Sequence, residues 1–218
     1  MRSKMFLGKA TLILLLTIAF ALAGCSSSED YDWEEAAVYA AFVDEHFAKF
    51  DHSSDPQKQH IIRDQTSGFQ TFNGCQEIIS ELSPKPNSDT VRDFLARNYS
   101  YFPIFPLTEK SRRAIGRYPL NSHIKFKLPH VLMSDSMHDD IFDDEKSIDE
   151  GWDLFYQRYT HAHGMVELSR VGFNKDRSQA LLYVDNVYSS EGGEGFFVLL
   201  EKKDNQWREV ATKACWIS

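Results

Sequence analysis

The chain predicts an α+β fold in which helices pack on one face of a curved antiparallel sheet that ends in a C-terminal meander. Three observations carry this. Trp33, Ala36, Ala40, Val43, Phe47 and Phe50 recur at three- and four-residue steps, the period of a helix with one apolar face. The last quarter holds four segments, Met165 to Phe173, Gln179 to Tyr188, Gly195 to Glu201 and Trp207 to Ile217, that alternate or run continuously apolar between turn residues, as strands do. Between the two regions, Gln59 to Thr66 reads as a short strand through Ile61 and Ile62.

Ahead of the first helix, Arg2, Lys4 and Lys9 precede an apolar run from Ala10 to Ala23. A basic start, a short apolar stretch and small residues at its end make the tripartite pattern of an export signal. The run is shorter than the ~20 residues of a spanning helix, and no basic flank follows it. Leu22-Ala23-Gly24-Cys25 resembles the lipobox of bacterial lipoproteins. That resemblance implies cleavage before Cys25, a diacylglycerol on its thiol and an acyl chain such as palmitate on its amine; the alternative is a plain signal peptide with an incidental cysteine. Residues 1–24 are then a signal peptide, 25–31 a lipidated tether and 32–218 a single α+β domain. Two or three chains anchor stably where one does not. In a Gram-negative host, Ser26 after the lipidated cysteine implies sorting to the outer membrane, facing the periplasm.

Cleavage there removes three basic residues and no acid, leaving 21 of the 24 basic residues against 32 acidic ones, a formal charge of −11. Such a surface repels nucleic acid and anionic headgroups. The expected partners are therefore the membrane, through the lipid, and an envelope protein. Cys75 and Cys215 remain as an even pair in an oxidising compartment and are disulfide candidates, the alternative being two buried thiols. The acidic run from Asp135 to Glu150 lacks the alternating ligands and glycine of a calcium loop and reads as a solvated loop.

In chain order, Asp32 is placed to cap the helix that runs from Trp33 to Phe50, with Glu35 three residues on. His52 to Pro56 ends it, and Gly68 to Gly74 forms a loop after the Gln59 to Thr66 strand. Cys75 to Leu82 is a short helix, and Asp89 caps another over Thr90 to Tyr99 whose Val91, Phe94, Leu95 and Asn98 share a face. The proline-rich stretch Ser100 to Pro119 is an ordered surface loop. His123 to Leu128 alternates as a strand that Val131 to Ser134 continues, and Ser147 to Tyr159 is a helix with Trp152, Phe155, Tyr156 and Tyr159 on one side. Asn174 to Ser178 and Lys203 to Gln206 are hairpin-sized connections, so the last strands form an antiparallel meander.

Gly151-Trp152-x-x-Phe155-Tyr156-x-x-Tyr159, Leu168-Ser169-Arg170-Val171-Gly172-Phe173-Asn174 and the closing Trp216-Ile217-Ser218 resemble a C-terminal block of uncharacterised, often exported, bacterial proteins. The block brings no known activity, so no catalytic residue follows from it. The order of elements resembles the cone of nuclear-transport-factor-2-like domains, which implies a pocket between helix and sheet.

Candidate chemistry is sparse. His161-x-His163 has a metal-like spacing, but only His130, His138 and Asp139 could complete it, so no metal is expected. Ser169, Arg170 and Asn174 are polar groups in an apolar strand and its turn and could face a ligand. The competing reading pairs Arg170 with Asp185 across the hairpin and makes Asn174 a turn residue. Gly192-Gly193-Glu194-Gly195 leads into a strand, so no helix N-terminus is there to cradle phosphate. No nucleophile elbow, P-loop, zinc-protease or C-x-x-C motif occurs, and no cofactor is expected. The chain thus reads as a lipid-anchored envelope lipoprotein acting as a non-catalytic binding or assembly accessory. The alternative is an enzyme or small-ligand binder that uses a pocket between helices and sheet.

Overall fold

A computed structural model describes residues 27–50, 57–67, 74–98, 117–120, 122–143 and 145–218. The expected signal peptide, the lipobox-like stretch with Cys25, and most of the expected Gly68 to Gly74 and Ser100 to Pro119 loops lie outside the described residues. Helix α1, Ser27–Phe50, starts earlier than expected, so Asp32 sits within it and is no cap. Tertiary packing explains the extension. The Tyr31 ring meets Phe173 edge-on at 5.6 Å and lies under the guanidinium groups of Arg97 and Arg177. The buried stripe is Val38, Tyr39, Phe42 and Val43, one step round from part of the expected set. Trp33 is 55% exposed, outside the core, and stacks on His123 at 3.9 Å.

The sheet holds β1 (Gln59–Arg63), β2 (His130–Met133), β3 (Ala162–Leu168), β4 (Gly172–Phe173), β5 (Gln179–Val187), β6 (Gly193–Lys203) and β7 (Gln206–Ile217). Its order is β2-β1-β3-β5-β6-β7, with β4 also paired to β5. β1 runs parallel to both β2 and β3, so the sheet is mixed; all other pairs are antiparallel, and β4 to β7 form the expected meander. Asp204 and Asn205 close the last hairpin with φ of 50° and 59°, the left-handed pair of a tight two-residue turn. The expected His123 to Leu128 strand does not form. Asp44 of α1 holds the Lys127 and Leu128 amides instead, at 2.8 and 3.2 Å, and the strand begins only after Pro129.

Helices cover both faces of the sheet rather than one. β5 and β6 are buried along continuous runs, and a strand buried on both sides needs a layer on each. On the first face α1 packs on Ile62, Val166, Leu168, Leu182, Val184, Val198 and Leu200. On the second, the 3-10 helix Gln76–Glu81 and α2, Ser88–Asn98, cover Leu181, Tyr183, Phe197 and Leu199. The helices α3, Asp135–Ile141, and α4, Ile148–Arg158, cover Ile61 and Met165 beside them. The first part of the acidic run is therefore a helix, not a loop. Ser134 caps it by accepting from the Met137 amide, and Ile141 sinks into the core. Ser147 and Glu150 form a reciprocal capping box on α4. The sheet stays open, with β2 and β7 as edges, and its two-sided cover differs from a one-sided cone.

Two close approaches lock the second face. Cys75 and Cys215 form the expected disulfide, with Cα atoms 5.6 Å apart, tying the start of the 3-10 helix to β7. Gly172 lies directly beneath α2, where a Cβ would overlap the Phe94 backbone. Gly172→Ala is expected to cost about 1–3 kcal/mol by pushing α2 off the sheet, read as a lower urea midpoint.

Among the described residues, no helix is long and apolar enough to cross a membrane.

Candidate functional site

The last two turns of α1 overhang the sheet where β1, β3, β5, β6 and β7 come together, and a cavity of about 380 Å³ opens beneath them. That volume lies within the range of small-molecule sites. α1 supplies His46 and Phe47, β1 and its approach supply His60 and Lys58, and β3 supplies His163, Gly164 and Val166. Asn186, Glu194, Phe196, Thr212 and Ala214 complete it from β5, β6 and β7. Phe47, Val166 and Phe196 give it apolar walls, and imidazoles, an ammonium, an amide and a carboxylate share the lining.

Local structure places each group. His46 follows the buried stripe of α1 and lies over β6, its ring stacked on Phe196 with centroids 5.2 Å apart. Its Nδ1 pairs with a Glu209 carboxylate oxygen at 2.9 Å. That bond, reinforced by the imidazole charge, holds Glu209 below the usual carboxylate range. Phe47 lies against His60 at 4.8 Å. Asn186 stands opposite Glu194 across β5 and β6 and donates to it at 3.3 Å. Gly164 has φ +112°, and a Cβ there would come within 2.6 Å of the Val187 carbonyl, so only glycine lets β3 bend under the cavity.

The sequence candidates are distributed differently. His163 lines the cavity, but His161 contributes its carbonyl to the Gln59 amide at 3.1 Å. His130 turns its Nδ1 to the Leu128 carbonyl, and His138 pairs with Asp139 on α3. No group of three metal-ligating side chains forms among the described residues. Ser169 is fully buried, accepting from the Tyr183 amide at 2.8 Å and donating to the Arg170 carbonyl at 3.0 Å. Arg170 does not pair with Asp185. It reaches Glu35 through Nε and Nη2, at 3.1 and 3.2 Å, and lies over the Tyr118 ring. The reason is facing: Asp185 shares the second face with Tyr183, whereas Arg170 turns toward α1. Asn174 does open the turn, accepting from the Ser178 and Gln179 amides at 2.9 Å each. None of Ser169, Arg170 and Asn174 lines the cavity.

His46, His60, Lys58, Glu194 and Thr212 were not singled out in the sequence. They lie far apart along the chain, and only the insertion of β1 between β2 and β3 brings His60 beside His163.

No protein-family model, curated protein or solved structure matches this chain.

Proposed function

We propose that this chain is a lipid-anchored envelope protein whose folded part binds a small molecule, without catalysing its conversion, in the cavity between α1 and the sheet. The observation that carries the reading is the cavity itself: a concave space of this size lined by apolar side chains together with a few polar groups is the usual make-up of a ligand site. The anchor rests on the Leu22-Ala23-Gly24-Cys25 motif. α1 begins two residues after Cys25, so the acyl chains would hold that end of the fold near the bilayer. His46 is 19 residues along the helix from Ser27, about 28 Å at 1.5 Å per residue. The cavity then lies well away from the anchored end, in reach of solutes on the periplasmic side of an outer membrane.

Each half has its own test. Cys25→Ser is expected to move the protein from the membrane pellet to the soluble fraction after cell breakage; a protein still in the pellet contradicts lipidation. Ala214→Trp, at the exposed mouth of the cavity, is expected to weaken capture of envelope-extract small molecules at least tenfold while leaving the thermal midpoint within a few degrees. Equal capture by the variant and the unaltered protein contradicts the cavity.

A further inference from the structure

The second face carries a polar row that the cavity does not use. Glu167 stands opposite Asp185 across β3 and β5, Asp185 opposite Gly195, and Gly195 opposite Trp216. The parallel pairing of Ile62 with Val166 brings Arg63 in beside Glu167. A line of charge therefore crosses the sheet between two apolar clusters. Arg63 and Asp185 are each only 2% exposed.

Charge is unevenly matched along this row. Arg63 pairs with the Asp135 carboxylate, and its Nη1 is 3.7 Å from Glu167. Arg117 reaches both oxygens of Glu167, at 3.3 and 3.4 Å. Asp185 has no ion pair among the described residues. Its Oδ1 accepts from the Tyr183 hydroxyl at 2.7 Å, which in turn accepts from Trp216 Nε1 at 2.8 Å. Its Oδ2 is buried with no hydrogen-bond partner among the described residues. Gly195 makes this relay fit, since a Cβ there would overlap both Trp216 Nε1 and the Tyr183 hydroxyl. His138, on α3, lies within the field of Arg63 and Glu167. Two carboxylates set opposite each other in a buried sheet repel, and burial alone disfavours the charged form.

We infer that Asp185 is a proton-binding site built into the sheet, its Oδ2 taking a proton from solvent beside the Glu167 side chain and making the fold pH-sensitive. Arg117, which binds Glu167, is the more exposed partner of that pair. Burial and then the Glu167 charge push the Asp185 carboxyl up to about 7, against the hydrogen bond from the Tyr183 hydroxyl. In the unfolded chain the same group titrates near 3.8. Between these values the fold holds a proton that the unfolded chain has lost. Stability therefore falls as pH rises through that window and levels off above it.

The test uses the intact chain in detergent, with carbon-13 NMR of the aspartate carboxyls and urea unfolding from pH 5 to pH 8. Asp185 is expected to titrate near neutrality and to shift downward in Glu167→Gln. Asp185→Asn is expected to remove a fall in the folded-to-unfolded ratio of roughly tenfold per pH unit between pH 5 and pH 7. An Asp185 midpoint below about 5, or an Asp185→Asn variant with the slope of the unaltered chain, overturns the inference. Should that variant not fold, the two NMR titrations decide alone.

Discussion

Glu35→Ala is expected to lower the unfolding free energy by about 3–5 kcal/mol, the cost of removing one member of a buried ion cluster and leaving the others charged. Glu35 is 4% exposed and accepts from five directions. Arg170 grips both its oxygens, Arg97 reaches Oε2 at 3.3 Å, the Val171 amide donates at 2.9 Å and the Tyr39 hydroxyl at 3.2 Å. Through these bonds one side chain of α1 fixes the Ser169 to Val171 break between β3 and β4, and Arg97 of α2 with it. Burial beside Glu35 raises the Tyr39 hydroxyl well above its ordinary pKa, so it stays a donor at any physiological pH. Glu35→Gln keeps the shape and part of the bonding, and its loss is expected to be smaller. Urea unfolding at fixed pH measures both; a loss below about 1 kcal/mol for Glu35→Ala would show that Arg170 and Arg97 find other partners.

Loss of the Cys75–Cys215 bridge is the second large effect. The bond spans 140 residues, and a loop of that length restricts the unfolded chain strongly, with stabilisation of about 2–5 kcal/mol expected. Cys215→Ser, or reduction of the native protein, should lower the urea midpoint accordingly and loosen the 3-10 helix Gln76–Glu81 first. That segment contributes only Ile79, with Leu82 just after it, to the buried core, and besides the bridge it meets β7 through the Glu81–Lys213 ion pair at 2.9 Å. Hydrogen exchange localises the change. Equal protection of that segment in oxidised and reduced protein would assign its docking to packing alone.

Much of the fold was legible because period and turn chemistry act locally. The meander followed from alternation in the last quarter and from Asn174 and Asp204-Asn205 at its turns, and the core face of α2 from Phe94 and Asn98. Other features were set at long range. Tyr31 extends α1 because Phe173 and two guanidinium groups close over it, and Asp44 takes the amides that an His123 to Leu128 strand would have used. The acidic residues of α3 hid a helix because their charges lie on its solvent side while Ile141 points inward. Both-sided burial of β5 and β6 was present in their unbroken apolar runs, yet a meander with one wet face would alternate more cleanly.

The sites follow the same division. Asn174 was readable as a turn residue from its type and setting. Arg170 was readable as one half of a pair, but its partner, Glu35, lies 135 positions away and no spacing announces it. Of the cavity histidines, only His163 stood out, through its spacing from His161; His46 and His60 had no signal, since the three belong to elements that meet only in the finished sheet.

Native mass spectrometry shows whether the cavity between α1 and the sheet holds a small molecule. The protein is gently extracted from its own membranes, alongside Ala214→Trp prepared in the same way. A discrete small-molecule adduct on the unaltered protein, lost in the variant, is the predicted result. Bare protein in both preparations, or the same adduct on both, would contradict it.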